Sequence, residues 1–190
     1  MIKLHLTQIE ALEAAVQDLE AHLGDTLAPF RAAISLLTTM PGLSDTAARV
    51  LVAEIGIDMS RFPTAGHLVS WAGLCPRLDE SAGKRQSTRI RHGAPWLKTT
   101  LVQSAWGATR KKGSYLQAQF LRLKSRRGPK KAIIAVAASM LTAVYFMLRD
   151  GVEYHDLGPQ HLAQRDKAQI AKRLLQRLRD LGLNVEVTAA

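Results

Sequence analysis

Two amphipathic segments joined by Pro41 and Gly42, across residues 37–56, constrain the fold of this chain more than any other feature. Pro41 sets φ for a turn, and Gly42 adopts backbone conformations that residues with a Cβ resist. Ser44 stands where its hydroxyl can cap the next helix, so a helix is predicted over 45–55, ended by Gly56. Residues 30–37 supply the helix before the turn, and the pair reads as a helix-hairpin-helix. Backbone amides near Gly42, Ser44 and Asp45 then gather at one exposed point, which suits a phosphate. A Pro-Gly turn between helices also serves as a plain connection, and the turn alone leaves both roles open.

The charge distribution weighs on that choice. The 190 residues hold 26 Lys and Arg against 16 Asp and Glu, a formal charge of +10, but the excess is local. Residues 61–131 contain 16 basic and two acidic residues, Asp79 and Glu80, whereas residues 1–60 contain three basic and eight acidic. A merely solvated surface mixes its signs. Exclusion of acids from so long a segment points to a polyanion, and nucleic acid is the expected partner.

Other totals narrow the class. The single cysteine, Cys75, permits no internal disulfide, fits a reducing compartment and reads as a small packing residue. The histidines, His5, His22, His67, His92, His155 and His161, show no ligand spacing, so no metal site is expected on this chain. Residues 132–147 form the longest apolar run, too short by itself to span a bilayer, and the N-terminus lacks a signal pattern. The expectation is a cytoplasmic protein with no membrane partner.

Along the chain, Ile2, Ile9, Leu12, Val16, Leu19 and Leu23 follow a heptad seam interrupted at His5. Such a short seam either pairs two copies or packs on the rest of the domain, and self-association is favoured. A short helix is predicted from Phe62 to Ala72, and no helical period runs through 74–93, which reads as a loop or small β-hairpin. Pro95 opens a helix to about Thr109, 115–124 is helical, 126–131 is a basic linker, and 131–149 is an apolar core helix. A last amphipathic helix covers about 160–181, and 184–190 reads as a tail. Trp71, Trp96 and Trp106 fall at helical positions and are expected in the core. The fold class is all-α or mainly α, organised as 1–29, a coiled-coil helix; 30–156, the main domain; and 157–190, a C-terminal helix and tail.

The loop carries the chemistry. Ser81 precedes Lys84, Arg85, Arg89 and Arg91. A serine attacking a phosphodiester needs a base for its proton and cations for the charge that builds on phosphorus. Arginine forks match phosphate oxygens in pairs, and Lys84 is a point charge. Asp79, Glu80 and His92 qualify as base by type only. A serine in a glycine-containing loop is also an ordinary turn residue, and Ser87 is a second serine in the same segment, so spacing alone leaves the role open. Lys98, Arg110, Lys111, Lys112, Arg126, Arg127, Lys130 and Lys131 extend a phosphate-binding surface that serves affinity more than sequence choice.

The order of several motifs resembles a known family. Residues 37–43 with Thr46 and Ala47, Arg61-Phe62, Leu68 through Pro76, Glu80-Ser81-Ala82-Gly83-Lys84, Ile90-Arg91-His92-Gly93, Leu97-Lys98 and the late segment 145–154 together look like the C-terminal transposase domain of the bridge-RNA-guided insertion-sequence transposases. The resemblance covers roughly residues 35–156. It implies DNA transposition or site-specific recombination, with the nucleophile role falling on Ser81, a covalent serine–DNA link and strand resealing without ATP. It also implies DNA and a guide RNA as partners. In that family an N-terminal RuvC-like domain binds magnesium through four acidic residues and completes a composite site. That half is not found in these residues, so magnesium is expected only in the full transposase, and this chain alone is expected to bind nucleic acid without completing recombination. The alternative is a non-catalytic helix-hairpin-helix module that binds DNA or RNA.

Overall fold

A computed structural model describes residues 2–77, 79–87 and 89–182. The predicted tail over 184–190 and the side chain of Arg85 lie outside the described residues. The chain is mainly helical with one small antiparallel hairpin, as expected.

Helix α1 (Ile2–Thr26) leads through a 3-10 turn, Ala28–Phe30, into α2 (Arg31–Thr38). Its heptad seam is bare: Ile2, Ile9, Leu12, Val16, Leu19 and Leu23 are 47% to 78% exposed. Packing of that seam on the rest of the domain, one of its two expected uses, is therefore not what this fold does.

Helix α3 (Asp45–Ile55) has the predicted bounds. Ser44 caps it by accepting a hydrogen bond from Ala47 N at 3.2 Å, and Gly56 closes it with φ +74°. Inward-facing Ala47, Ala48, Leu51, Val52 and Ile55 recur at three- and four-residue steps, and this stripe packs on α2 and on α5 (Pro95–Ala108). Between them, α4 (Ala65–Trp71) follows a 3-10 turn, Met59–Arg61, and is shorter than expected because Phe62 and Thr64 are extended before its first turn.

The basic linker predicted over 126–131 is not a linker. Helix α6 (Tyr115–Arg127) runs to Arg127 and α7 begins at Pro129, leaving only Gly128, φ +82°, at the corner. Proline tolerates a first helical position and glycine a positive φ, so a single residue reverses the chain. Helix α7 (Pro129–Asp150) is the centre of the core. Ala132, Ile133, Val136, Ala137, Met140, Leu141 and Val144 are buried, and the helix packs on α2, α4, α5 and α6. At its full 22 residues it is long and apolar enough to cross a membrane, contrary to the estimate from 132–147, but half of its most apolar stretch is buried within this domain, as a core helix requires.

Past α7, residues 152–158 strap the body's end. Tyr154 N donates to Thr39 Oγ1 at 3.0 Å, and Asp156 Oδ1 accepts from Tyr115 N at 2.9 Å and Gly158 N at 2.8 Å, capping α6 together with Ser114. Burial, with Asp156 and Tyr115 nearby, pushes the Tyr154 hydroxyl up to about 12. The last helix, α8 (His161–Asp180), packs on α6.

The tryptophans depart from expectation. Trp71 is 46% exposed, Trp106 is 42% and Trp96 is 74%. Alanines, leucines and methionines from α3, α5 and α7 already fill the core, and the indoles lie at its rim or outside it. Cys75 packs partly buried against the core, as expected.

Candidate nucleic-acid interface

The hairpin formed by β1 (Asp79–Ser81) and β2 (Lys84–Ser87) turns through Ala82, φ +50°, and Gly83, φ +73°. Two successive positive φ values match the right-handed twist of a two-residue connection. Ser81 pairs directly with Lys84, and Glu80 with Arg85; a bulge lies between Asp79 and Glu80. Cross-strand partners share a face, so Ser81 and Lys84 start side by side at the exposed tip. Neighbouring strand positions point to opposite faces, which directs Glu80 away from Ser81. Among the described residues no side-chain hydrogen bond reaches Ser81 from Asp79, Glu80 or His92.

Backbone contacts anchor the foot of the hairpin. Pro76 bridges Ile90, and Arg77 N donates to Arg89 O at 2.8 Å. Gly73 and Gly93 lie against each other: a Cβ on Gly73 would sit 2.8 Å from Arg91 O, and one on Gly93 would overlap Ala72 O. Lys98, predicted as a phosphate contact, donates from Nζ to Arg91 O at 2.8 Å and so ties α5 to the returning strand. Arg77, Asp79, Arg91 and His92 line an open cleft of about 390 Å³ at the foot, which gathers two of the three base candidates with two guanidinium groups. Ser87 is at the opposite end of the ladder from the tip; its hydroxyl accepts from Arg89 N at 3.2 Å.

The turn at Gly42 is a second, separate feature. Gly42, Ser44 and Asp45 are exposed, while Leu43 points into the core. Gly42 has φ +84°, and a Cβ there would overlap the Ser104 carbonyl and lie 2.5 Å from Ala108 N, so the turn is pressed onto α5. Amides in the first turn of α3 have no carbonyl one turn back, which leaves those of Asp45 and Thr46 without an intrahelical partner. The Asp45 carboxylate is engaged with Arg49 at 2.6 Å. Thr100, Gln103 and Ser104 of α5 join Ser44 and Thr46 around a groove of about 300 Å³. Sequence reasoning missed Thr100 and Gln103; the available signal was Gly107, whose Cα side faces Gly42 and allows the approach.

The other cations predicted to contact phosphate lie beyond the end of α5 and on α6 and α7. Arg110, Lys111 and Lys112 occupy the exposed α5–α6 connection, Arg126 and Arg127 the last turn of α6, and Lys130 and Lys131 the first turn of α7. The fold thus brings Ser81, Lys84, Arg89, Arg91 and Lys98 into one hairpin region and leaves the other cations at two separate corners. Among the described residues no three His, Cys, Asp or Glu side chains converge on a metal-sized site.

Residues 34–121 match the model of the transposase family IS116/IS110/IS902. The chain is 34% identical over 157 residues, 80% of its own length, to an insertion element IS110 uncharacterized 43.6 kDa protein of Streptomyces coelicolor, of which it spans 36%. It is 33% identical over 119 residues, 60% of its length, to a pilin gene-inverting protein of Moraxella bovis, of which it again spans 36%.

Proposed function

We propose that this chain acts on DNA in transposition or site-specific recombination, with Ser81 as the nucleophile; the match of residues 34–121 to a transposase family supports the reading. The observation that carries the reading is the pairing of Ser81 with Lys84 at the solvent-exposed tip of a hairpin rooted in the most basic segment of the chain. Ser81 Oγ attacks the scissile phosphorus, an Oγ–P bond forms, and the P–O bond to one strand breaks. The serine proton passes to a base and the departing strand oxygen takes one up. Reversal by a different strand end reseals the DNA, because the phosphoserine ester keeps the energy of the broken linkage.

Lys84, Arg85, Arg89 and Arg91 stabilise the charge on the phosphoryl oxygens. Asp79, Glu80 and His92 are the candidates for the base, with Glu80 starting from the face opposite Ser81 and Asp79 and His92 at the hairpin foot. The amides beside Gly42, Ser44 and Asp45 hold a backbone phosphate, and the outlying lysines and arginines add salt-sensitive affinity. By resemblance, the acidic residues of the RuvC-like half of a full transposase would hold magnesium. Guide RNA as the reader of sequence rests on the same resemblance. Pairing of two copies through the bare seam of α1 is supported by its exposure.

The test supplies labelled DNA, guide RNA, magnesium and an N-terminal half, and looks for a protein–DNA adduct that survives denaturation. The adduct is expected with the parent and Ser87→Ala and is lost in Ser81→Ala, whose unfolding free energy stays within about 0.5 kcal/mol of the parent because the side chain is exposed. An adduct that survives in Ser81→Ala defeats the assignment. No adduct from any variant, with tight salt-dependent binding, would make the domain a non-catalytic binding module.

A further inference from the structure

Trp96 has no structural use that the fold reveals. Its neighbour Leu97 is fully buried and begins the inward stripe continued by Leu101, Ala105 and Ala108, so the indole at the adjoining position projects outward at 74% exposure. Trp71 leans on Phe62 with ring centres 5.7 Å apart, and Trp106 meets Phe120 edge-on at 5.5 Å. Among the described residues Trp96 makes no ring or cation contact of this kind. An indole left this bare removes a large apolar surface from any core and pays back only when something covers it.

Its surroundings specify what covers it. Trp96 is in the first turn of α5, and that turn is tied to the hairpin foot by the Lys98 Nζ to Arg91 O hydrogen bond and by the contact between Gly73 and Gly93. Arg91 and His92 are exposed just before it, and no acidic residue occurs in the first turn of the helix. A flat apolar face on a helical turn flanked by Arg91 and Lys98 complements a ligand that is flat, apolar on its faces and polyanionic along its backbone. Nucleic acid meets that description, but bases in a duplex already stack on one another. An unpaired base is needed.

We propose that Trp96 is a stacking platform for an unpaired base of the DNA strand that runs past the hairpin foot. The choice of DNA rests on the reading above, in which the hairpin opens a DNA phosphodiester and the strand beside that opening is the one whose pairing is disturbed. The cations hold its phosphates and the indole holds one base, without preference among bases because each has a π face.

The experiment titrates the full chain with a short oligothymidylate, following tryptophan fluorescence and, independently, the anisotropy of a label on the oligonucleotide. Binding is expected to quench the parent, and Trp96→Leu is expected to lose that quenching and about tenfold in affinity, the scale of one stacked base. Trp96→Phe retains part of the affinity. The position is exposed, so both variants keep the fold. Equal affinity of parent and Trp96→Leu, quenching that persists in Trp96→Leu, equal quenching of the parent by a duplex of the same length, tighter binding of the matching oligouridylate, or no binding at low salt would each overturn the proposal. The oligonucleotide is bound and not cleaved. Trp96 quenching without any adduct would therefore fail the serine reading alone, and a Ser81 adduct with an unquenched Trp96 would fail this one alone.

Discussion

Gly42 and Gly83 hold similar backbone conformations, φ +84° and +73°, in two turns with opposite surroundings. At Gly42 a methyl group would drive into the backbone of α5, whereas at Gly83 nothing lies within 4 Å. Both turns reverse the chain between paired elements. One is a packing joint of the helical body, and the other is the free end of a hairpin whose strand residues face solvent. Stability is thus concentrated around α3, α5 and α7, while the groups suited to phosphate chemistry sit where little packing depends on them. The proposed nucleophile, Ser81, would gain from that separation in meeting a large, rigid substrate, because the side chains around it are not committed to the core.

The sharpest way to break the comparison is to substitute both glycines. Gly42→Ala is expected to cost about 3 kcal/mol in urea unfolding, the sum of the left-handed strain and the overlap with α5. Gly83→Ala, with the strain alone, should cost about 1 kcal/mol. Equal losses would mean that the α5 contact is not what distinguishes the turns. Next in size is a cap within the body. Ser114 is 2% exposed, its Oγ accepts from Gln117 N at 3.1 Å and donates to Lys111 O at 2.9 Å, and Ser114→Ala is expected to cost about 1 to 2 kcal/mol. A loss below that of Gly83→Ala would place more stability in the hairpin than the packing implies.

A last prediction concerns the strap after α7. Tyr154 titrates near 12 in the folded protein, above the value of about 10 expected for an unfolded chain. A folded-state pKa raised in this way gives a contribution that is fully present below about pH 10 and is lost as pH rises through 12. Urea midpoints measured across that interval should therefore fall more steeply for the parent than for Tyr154→Phe. Identical slopes would show that the strap does not protect the hydroxyl.

Much of the body was legible because its signals are local. Ser44 and Gly56 mark the ends of α3, Pro95 marks the start of α5, and the three- and four-residue steps of apolar residues mark the buried faces. The basic linker was misread because Arg126, Arg127, Lys130 and Lys131 look like solvated loop, while Gly128 alone makes the corner. The tryptophans were misread because hydrophobicity says that a side chain prefers burial, not that a place remains for it.

At the candidate site, the sequence identified the basic segment, Ser81 and its neighbouring cations as the chemically unusual part of the chain. It could not tell that Glu80 starts from the face opposite Ser81, since that follows from strand pairing and the turn at Ala82 and Gly83. Nor could it show that Lys98 is held by Arg91 O or that Thr100 and Gln103 stand beside the Gly42 turn.

Composition and local pattern by themselves determined a mainly helical chain, the capped α3, the apolar α7 and a strongly basic middle, because caps, periodicity and charge act within a few residues of their source. Only the tertiary structure decided which turn is buried, which serine stands at an open tip and which tryptophan remains uncovered. Those outcomes depend on contacts between segments distant in sequence, where backbone approach and the filling of one shared core determine what space is left.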